Sequence, residues 1–127
     1  MGHLVPIDER TYAFALALLR AYKGARPADA AERAIWLQLL RAGTSVGANT
    51  AESGGAQSRP DWLTRRHIAL KEAREAQFWL RLMADAELTS GPMATLRKEA
   101  GEIVAILTAV VKNAKATKPS TKCPGGN

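Results

Sequence analysis

The sequence is poor in the residues that carry metal, redox and relay chemistry. It has one cysteine, Cys123, set in a Pro/Gly/Lys context, which excludes an intramolecular disulfide and a thiolate metal cage. Histidine occurs only at His3 and His67, and no Glu-x-x-His is present. The ligand set that helical bundles use for a two-metal centre is therefore missing, and neither metal nor cofactor is expected. Thr44 and Ser45 have no histidine and carboxylate at a relay spacing, and a thiol such as Cys123 in a flexible segment oxidises more readily than it catalyses. No catalytic residue is assigned, and a non-enzymatic protein is expected. No uncharged run approaches the roughly 18 apolar residues of a membrane span. The opening MGHLVPIDER has no basic flank followed by an apolar run, so a soluble, cytoplasmic protein is expected.

What is present is enough for one core. A chain of 127 residues with 46% hydrophobic and 24% charged residues has the composition of a single globular domain. Its net charge of +6 is uneven. Residues 1–88 carry twelve basic and ten acidic side chains, whereas residues 89–127 carry six and two. The body is close to neutral, and the excess lies in an arm containing Lys112, Lys115, Lys118 and Lys122.

Breaks at Gly24-Ala25-Arg26-Pro27, Gly54-Gly55 and Thr89-Ser90-Gly91-Pro92 divide the chain into four helical segments. The first starts at Pro6-Ile7-Asp8-Glu9 and runs to about Lys23. It is so rich in alanine, leucine and aromatics that it has hardly any polar face. The second begins near Ala28 or Asp29 and passes through Gly43, Gly47 and Ala51, whose spacing of four predicts a smooth stripe for a close helix neighbour. Ser58 reads as the N-cap of the third, with Pro60 in its first turn. Ala69, Ala73, Ala76, Leu80 and Met83 form its core stripe, while Phe78, Trp79 and Leu82 fall outside it. In the fourth, Met93, Leu96, Ala100, Ile103, Leu107, Val110 and Ala114 follow a heptad. Short links imply an all-α, up-down-up-down four-helix bundle over residues 1–114, followed by a basic, flexible tail over 115–127. Surplus apolar surface on two helices implies a homo-oligomer, with Phe78, Trp79 and Leu82 at its interface.

Two stretches carry a family resemblance. Ser45-Val46-Gly47-Ala48-Asn49-Thr50-Ala51-Glu52 resembles the Ser-aliphatic-x-Ala-Asn-aliphatic-Ala-Glu-Gly motif of the bacterial four-helix-bundle family, also called the 23S rRNA intervening-sequence protein family. The segment from Ile68 to Leu82, IALKEAREAQFWLRL, resembles that family's second signature. The similarity covers roughly Pro6 to Lys112. Ser53 stands where the family has glycine, and Ala56-Gln57 replaces a segment that is often basic. The resemblance implies an up-down-up-down bundle assembled as a homopentamer. Some members are encoded within intervening sequences of large-subunit ribosomal RNA. Related accessory proteins of diversity-generating retroelements work with a reverse transcriptase and nucleic acid, and most members have no established activity. The resemblance thus suggests a binding or scaffold protein for structured RNA or a nucleic-acid enzyme. The alternative is a protein-interaction module with no nucleic-acid role.

Within that frame Ser45, Asn49 and Glu52 are read as a structural or interface polar motif. An unpaired buried carboxylate is costly, so Glu52 is expected to pair with a cation of the third helix such as Lys71 or Arg74. Trp36, Trp62 and Trp79 are read as packing anchors. Trp62, beside Arg59, Arg65 and Arg66, comes nearest to a base-stacking residue. Candidate nucleic-acid contacts are Arg59, Arg65 and Arg66 together with Lys112, Lys115, Lys118 and Lys122.

Overall fold

The computed structural model describes residues 5–88 and 93–116. Helix α1 (Ile7–Ala25) opens after Pro6 with Asp8 and Glu9 in its first turn, where acids complement the helix dipole. It stops at Arg26, which takes a left-handed conformation (φ 46°, ψ 66°) and returns its N–H to the Tyr22 carbonyl, and Pro27 then prevents any continuation. Helix α2 (Ala30–Gly54) is capped by Asp29, whose carboxylate accepts the Glu32 N–H at 2.8 Å. Helix α3 (Arg59–Asp85) is capped by Ser58, whose hydroxyl accepts the Asp61 N–H at 3.2 Å. Helix α4 spans Met93–Ala116. The break expected at Thr89 to Pro92, Lys118 and Lys122 lie outside the described residues.

The four helices close into a ring. Helices α1 and α3 each pack on both α2 and α4, while no Cα atoms of the diagonal pairs come within 8 Å among the described residues. Side-chain pairs show that α2 and α3 are antiparallel. Arg41 meets Glu72 and Glu75, Asn49 meets Arg65, and Ser53 meets Arg66, so advancing along α2 means retreating along α3. The core contains Phe14, Leu18, Trp36, Leu39, Val46, Leu80, Met83, Ile103 and Leu107. Every member of the expected α3 stripe is buried.

Two stripes turn away from their expected lines for the same geometric reason. On α4 the buried series runs Met93, Leu96, Ala100, Ile103, Leu107 and then Val111, leaving Val110 and Ala114 only partly covered. A straight helix drifts about 20° per heptad against a 3.5-residue repeat. On α2 Gly43 is buried and Gly47 partly so, but Ala51 is exposed. Steps of four residues advance about 40° beyond a full turn, and burial passes instead to Val46, Thr50 and Ser53. The two glycines are points of close approach to α1. A Cβ at Gly43 would run into the Leu18 side chain, and one at Gly47 would lie 3.2 Å from the Thr11 carbonyl oxygen.

The α1–α4 seam is the most sparsely packed of the four, and a fork of charge crosses it. Arg10 donates to Glu99 at 3.0 and 2.6 Å and to Glu102 at 2.6 Å. These bonds raise the guanidinium pKa above its ordinary value and hold the Glu102 carboxyl below its own.

Candidate functional site

Ser45, Asn49 and Glu52 lie on the flank of α2 that turns toward α3, but they do not form a buried network. The Asn49 amide folds back on its own helix, donating to the Ser45 carbonyl at 3.0 Å and to its hydroxyl at 3.1 Å. Its oxygen accepts from Arg65 at 3.5 Å. Glu52 is 64% exposed and meets Arg65 at 3.9 Å, an ion pair of the kind worth about 0–1 kcal/mol. The expected partners Lys71 and Arg74 are wrong by register: only four residues separate the end of α2 from the start of α3, so the end of α2 faces the first turns of α3.

The buried polar centre of this end is carried by neighbours of the motif. Thr50 donates to the Val46 carbonyl at 2.8 Å, and the Ser53 hydroxyl donates to the Thr50 carbonyl at 2.6 Å. The same Ser53 oxygen accepts Arg66 Nε at 2.8 Å. Arg66 also pairs with Asp8 at 3.7 Å and lies 5.2 Å over the Trp62 ring. One guanidinium thus ties α3 to α2 and α1. Burial lowers its pKa from the ordinary arginine value, and Asp8 works in the opposite direction. Arg59 is also buried and donates to the Ala114 carbonyl, one of the carbonyls left unsatisfied at the C-terminal end of a helix. Trp62 is buried beneath Arg66, so its ring is a packing surface.

The arginines read from sequence as one cluster therefore divide. Arg59 and Arg66 are held inside, Arg65 is partly occupied by Glu52 and Asn49, and Lys112 and Lys115 stand exposed on the last turns of α4.

A second basic site was not anticipated. On the α3–α4 face, Arg74, Gln77, Phe78, Arg81 and Arg97 surround a cleft of about 420 Å³. Phe78 is 57% exposed. Its edge packs against Trp79, with ring centroids 5.0 Å apart and planes at 75°. Trp79 is itself fixed, donating Nε1–H to Glu75 at 3.0 Å. That bond, followed by the one from Arg41, holds the Glu75 carboxyl below its ordinary value. Arg81 makes a loose i,i+4 pair with Asp85 at 3.8 Å. Arg74 and Arg97 have no ion pair among the described residues. The legible signal was the spacing Arg74, Phe78, Arg81, which is one helix face. Arg97, from the opposing helix, could be added only once the fold was known. Of the expected interface residues, Phe78 and Leu82 are exposed and Trp79 is half-buried.

The fold and these surfaces define a small antiparallel four-helix bundle whose polar chemistry is divided between an internal arginine lock and an external arginine cleft. No group of three or more metal-ligating side chains gathers among the described residues, and no helix is long and apolar enough to cross a membrane. The chain belongs to the 23S rRNA-intervening sequence protein family, whose model matches residues 7–109. A solved structure from Bacteroides thetaiotaomicron, described as a protein of unknown function from the S23 ribosomal protein family, superposes with a TM-score of 0.75 at 31% identity. The match covers 84% of this chain and 99% of that one. No curated protein matches the sequence.

Proposed function

We propose that this protein is a non-enzymatic, cytoplasmic scaffold that assembles with copies of itself, as a homopentamer, and binds structured RNA through the cleft around Phe78. The observation that carries the reading is the cleft itself. Three guanidiniums surround an exposed aromatic ring, combining phosphate neutralisation with a stacking platform for an unpaired base. The family's name is consistent with an RNA partner. Lys112 and Lys115, with the basic residues beyond them, supply sequence-independent attraction.

The test is fluorescence anisotropy with a hairpin RNA carrying an unpaired loop, across a salt series. The Arg74→Ala/Arg97→Ala variant should lower the slope of log K against log salt by about 1.5, from two lost phosphate contacts. Phe78→Ala should weaken binding without changing the slope, because stacking releases no counterions. Truncation after Ala114 should weaken binding to all RNAs alike. RNA affinity unaffected by the cleft substitutions would refute this assignment. Absence of RNA binding in an intact assembly would favour the protein-interaction reading, which the exposed Tyr12, Leu19 and Leu37 on α1 and α2 also support. For the assembly, Phe78 belongs to the cleft and the interface is left to Trp79 and Leu82, so Leu82→Asp should reduce the particle mass in light scattering. A wild-type monomer at micromolar concentration would refute self-association.

A further inference from the structure

A separate groove runs along α1 on the other side of the molecule. Its volume is about 620 Å³, within the roughly 300–1,000 Å³ typical of small-molecule sites. On α1 its wall consists largely of small residues, Ala13, Ala17, Ala21 and Gly24, and Leu88 and Met93 lie across from them. Small side chains along the most sparsely packed seam leave the space unfilled by the described residues.

Two polar groups give the groove chemical character. Trp36 lines it, is 2% exposed, and has an Nε1–H with no acceptor among the described residues. An indole nitrogen can only donate, and native interiors rarely leave a buried donor unpaired. By contrast, Trp79 has its acceptor in Glu75. The second group is Arg20, an exposed wall residue with no ion pair among the described residues.

We propose that this groove binds a small anionic amphiphile, such as a medium-chain carboxylate or an aromatic acid. Its apolar body lies against the alanine wall, an acceptor atom takes the Trp36 N–H, and its acidic group pairs with Arg20. The depth of the indole favours a small molecule over a second copy of the chain, because reaching a donor with less than 1 Å² of accessible surface takes a slender acceptor and a small shift of the ring, which a convex helix face does not supply.

The experiment titrates the full-length protein with anilinonaphthalene sulfonate, an anionic aromatic probe, and then displaces it with dodecanoate or dodecanol. One saturable site per chain is expected, with dodecanoate displacing the probe at lower concentration than dodecanol. Arg20→Gln should weaken dodecanoate about tenfold, corresponding to about 1.4 kcal/mol, with little effect on dodecanol. Trp36→Phe, which keeps an aromatic ring and deletes the donor, should weaken both. Ala17→Phe should remove the site by filling it. Ala13→Phe, on the exposed wall, replaces it if the helical circular dichroism of Ala17→Phe falls. Arg74→Ala/Arg97→Ala and Leu82→Ser should leave probe binding unchanged, which separates this site from the RNA cleft and from the exposed patch on α3. Absence of a saturable site would overturn the proposal, as would probe binding that survives groove filling or disappears in Leu82→Ser. It would also be overturned if Ala17→Phe altered only the particle mass, since the groove would then be a contact between copies.

Discussion

Replacing glycine by alanine inside a helix normally stabilises it by about 1 kcal/mol, through the backbone entropy that glycine loses on folding. Gly43 and Gly101 both lie inside long helices, so propensity alone gives them the same sign. Their surroundings differ. A Cβ at Gly101 would find its nearest neighbour, Gln77 Nε2, at 3.7 Å, an ordinary contact. A Cβ at Gly43 would collide with Leu18 Cδ1, and Leu18 is completely buried among Phe14, Trp36 and Leu39. Its methyl can yield only by shifting close-packed neighbours, and overpacking of this kind costs about 1–3 kcal/mol. Gly101→Ala should therefore stabilise the protein by up to about 1 kcal/mol. Gly43→Ala should be neutral to destabilising by about 2 kcal/mol, which is the strain less the propensity gain. Urea unfolding at one fixed protein concentration measures both: the midpoint rises for Gly101→Ala and stays or falls for Gly43→Ala, with the slope unchanged. If both substitutions raised the midpoint equally, the close contact between α1 and α2 at Gly43 would not exist as described.

Ser53→Ala should cost about 1–3 kcal/mol, because it leaves Arg66 Nε without its acceptor in a buried position. Ser53→Thr, which keeps the hydroxyl, should recover part of that loss in the same urea assay. Asp29→Ala should cost about 1 kcal/mol through loss of the α2 cap, with Asp29→Asn close to wild type. The pH dependence follows from Glu75 and Glu102, both held below the ordinary carboxyl value of 4.5. A carboxylate with a depressed folded-state pKa binds fewer protons folded than unfolded. Its contribution is complete above pH 4.5 and disappears as pH falls through the folded-state value. Thermal melts should therefore lose stability below about pH 4.5, and Glu75→Gln/Glu102→Gln should flatten that loss. An unchanged acid limb would contradict the bonds that Glu75 accepts from Trp79 and Arg41 and that Glu102 accepts from Arg10.

The helices were legible because their signals are local. Pro6, Asp29 and Ser58 mark the starts, Arg26-Pro27 and Gly54-Gly55 mark stops, and the α3 stripe from Ala69 to Met83 is entirely buried. What sequence could not supply was angular drift and register. Val110 and Ala51 fell off their stripes because a regular spacing in sequence is not a straight line on a helix. Composition identifies a cation on α3 for Glu52 but not its level, which is why Lys71 and Arg74 read as partners and Arg65 is the one that meets it. The Arg66 hub was hidden for a related reason. Its acceptors, Ser53 and Asp8, come from two other helices, and no single segment shows all three. Trp36 was legible as a core residue, but its nitrogen's lack of an acceptor among the described residues was not, because satisfaction of a donor is a property of what surrounds it.

Arginine content alone points away from the cleft proposed to bind RNA. The run around Arg59, Arg65 and Arg66 puts three arginines within eight residues, yet the fold draws two of its three guanidiniums inward. One binds a helix-terminal carbonyl, and the other binds a serine, an aspartate and an indole face. Moving any of those groups to a phosphate would leave a buried partner unsatisfied, so these cations are poorly suited to binding. Arg74 and Arg97 are sparser in sequence, but they face solvent without a carboxylate partner among the described residues. A phosphate arriving there displaces only water and counterions. Removing Arg66 should therefore lower stability more than RNA affinity, and removing Arg74 and Arg97 should do the reverse.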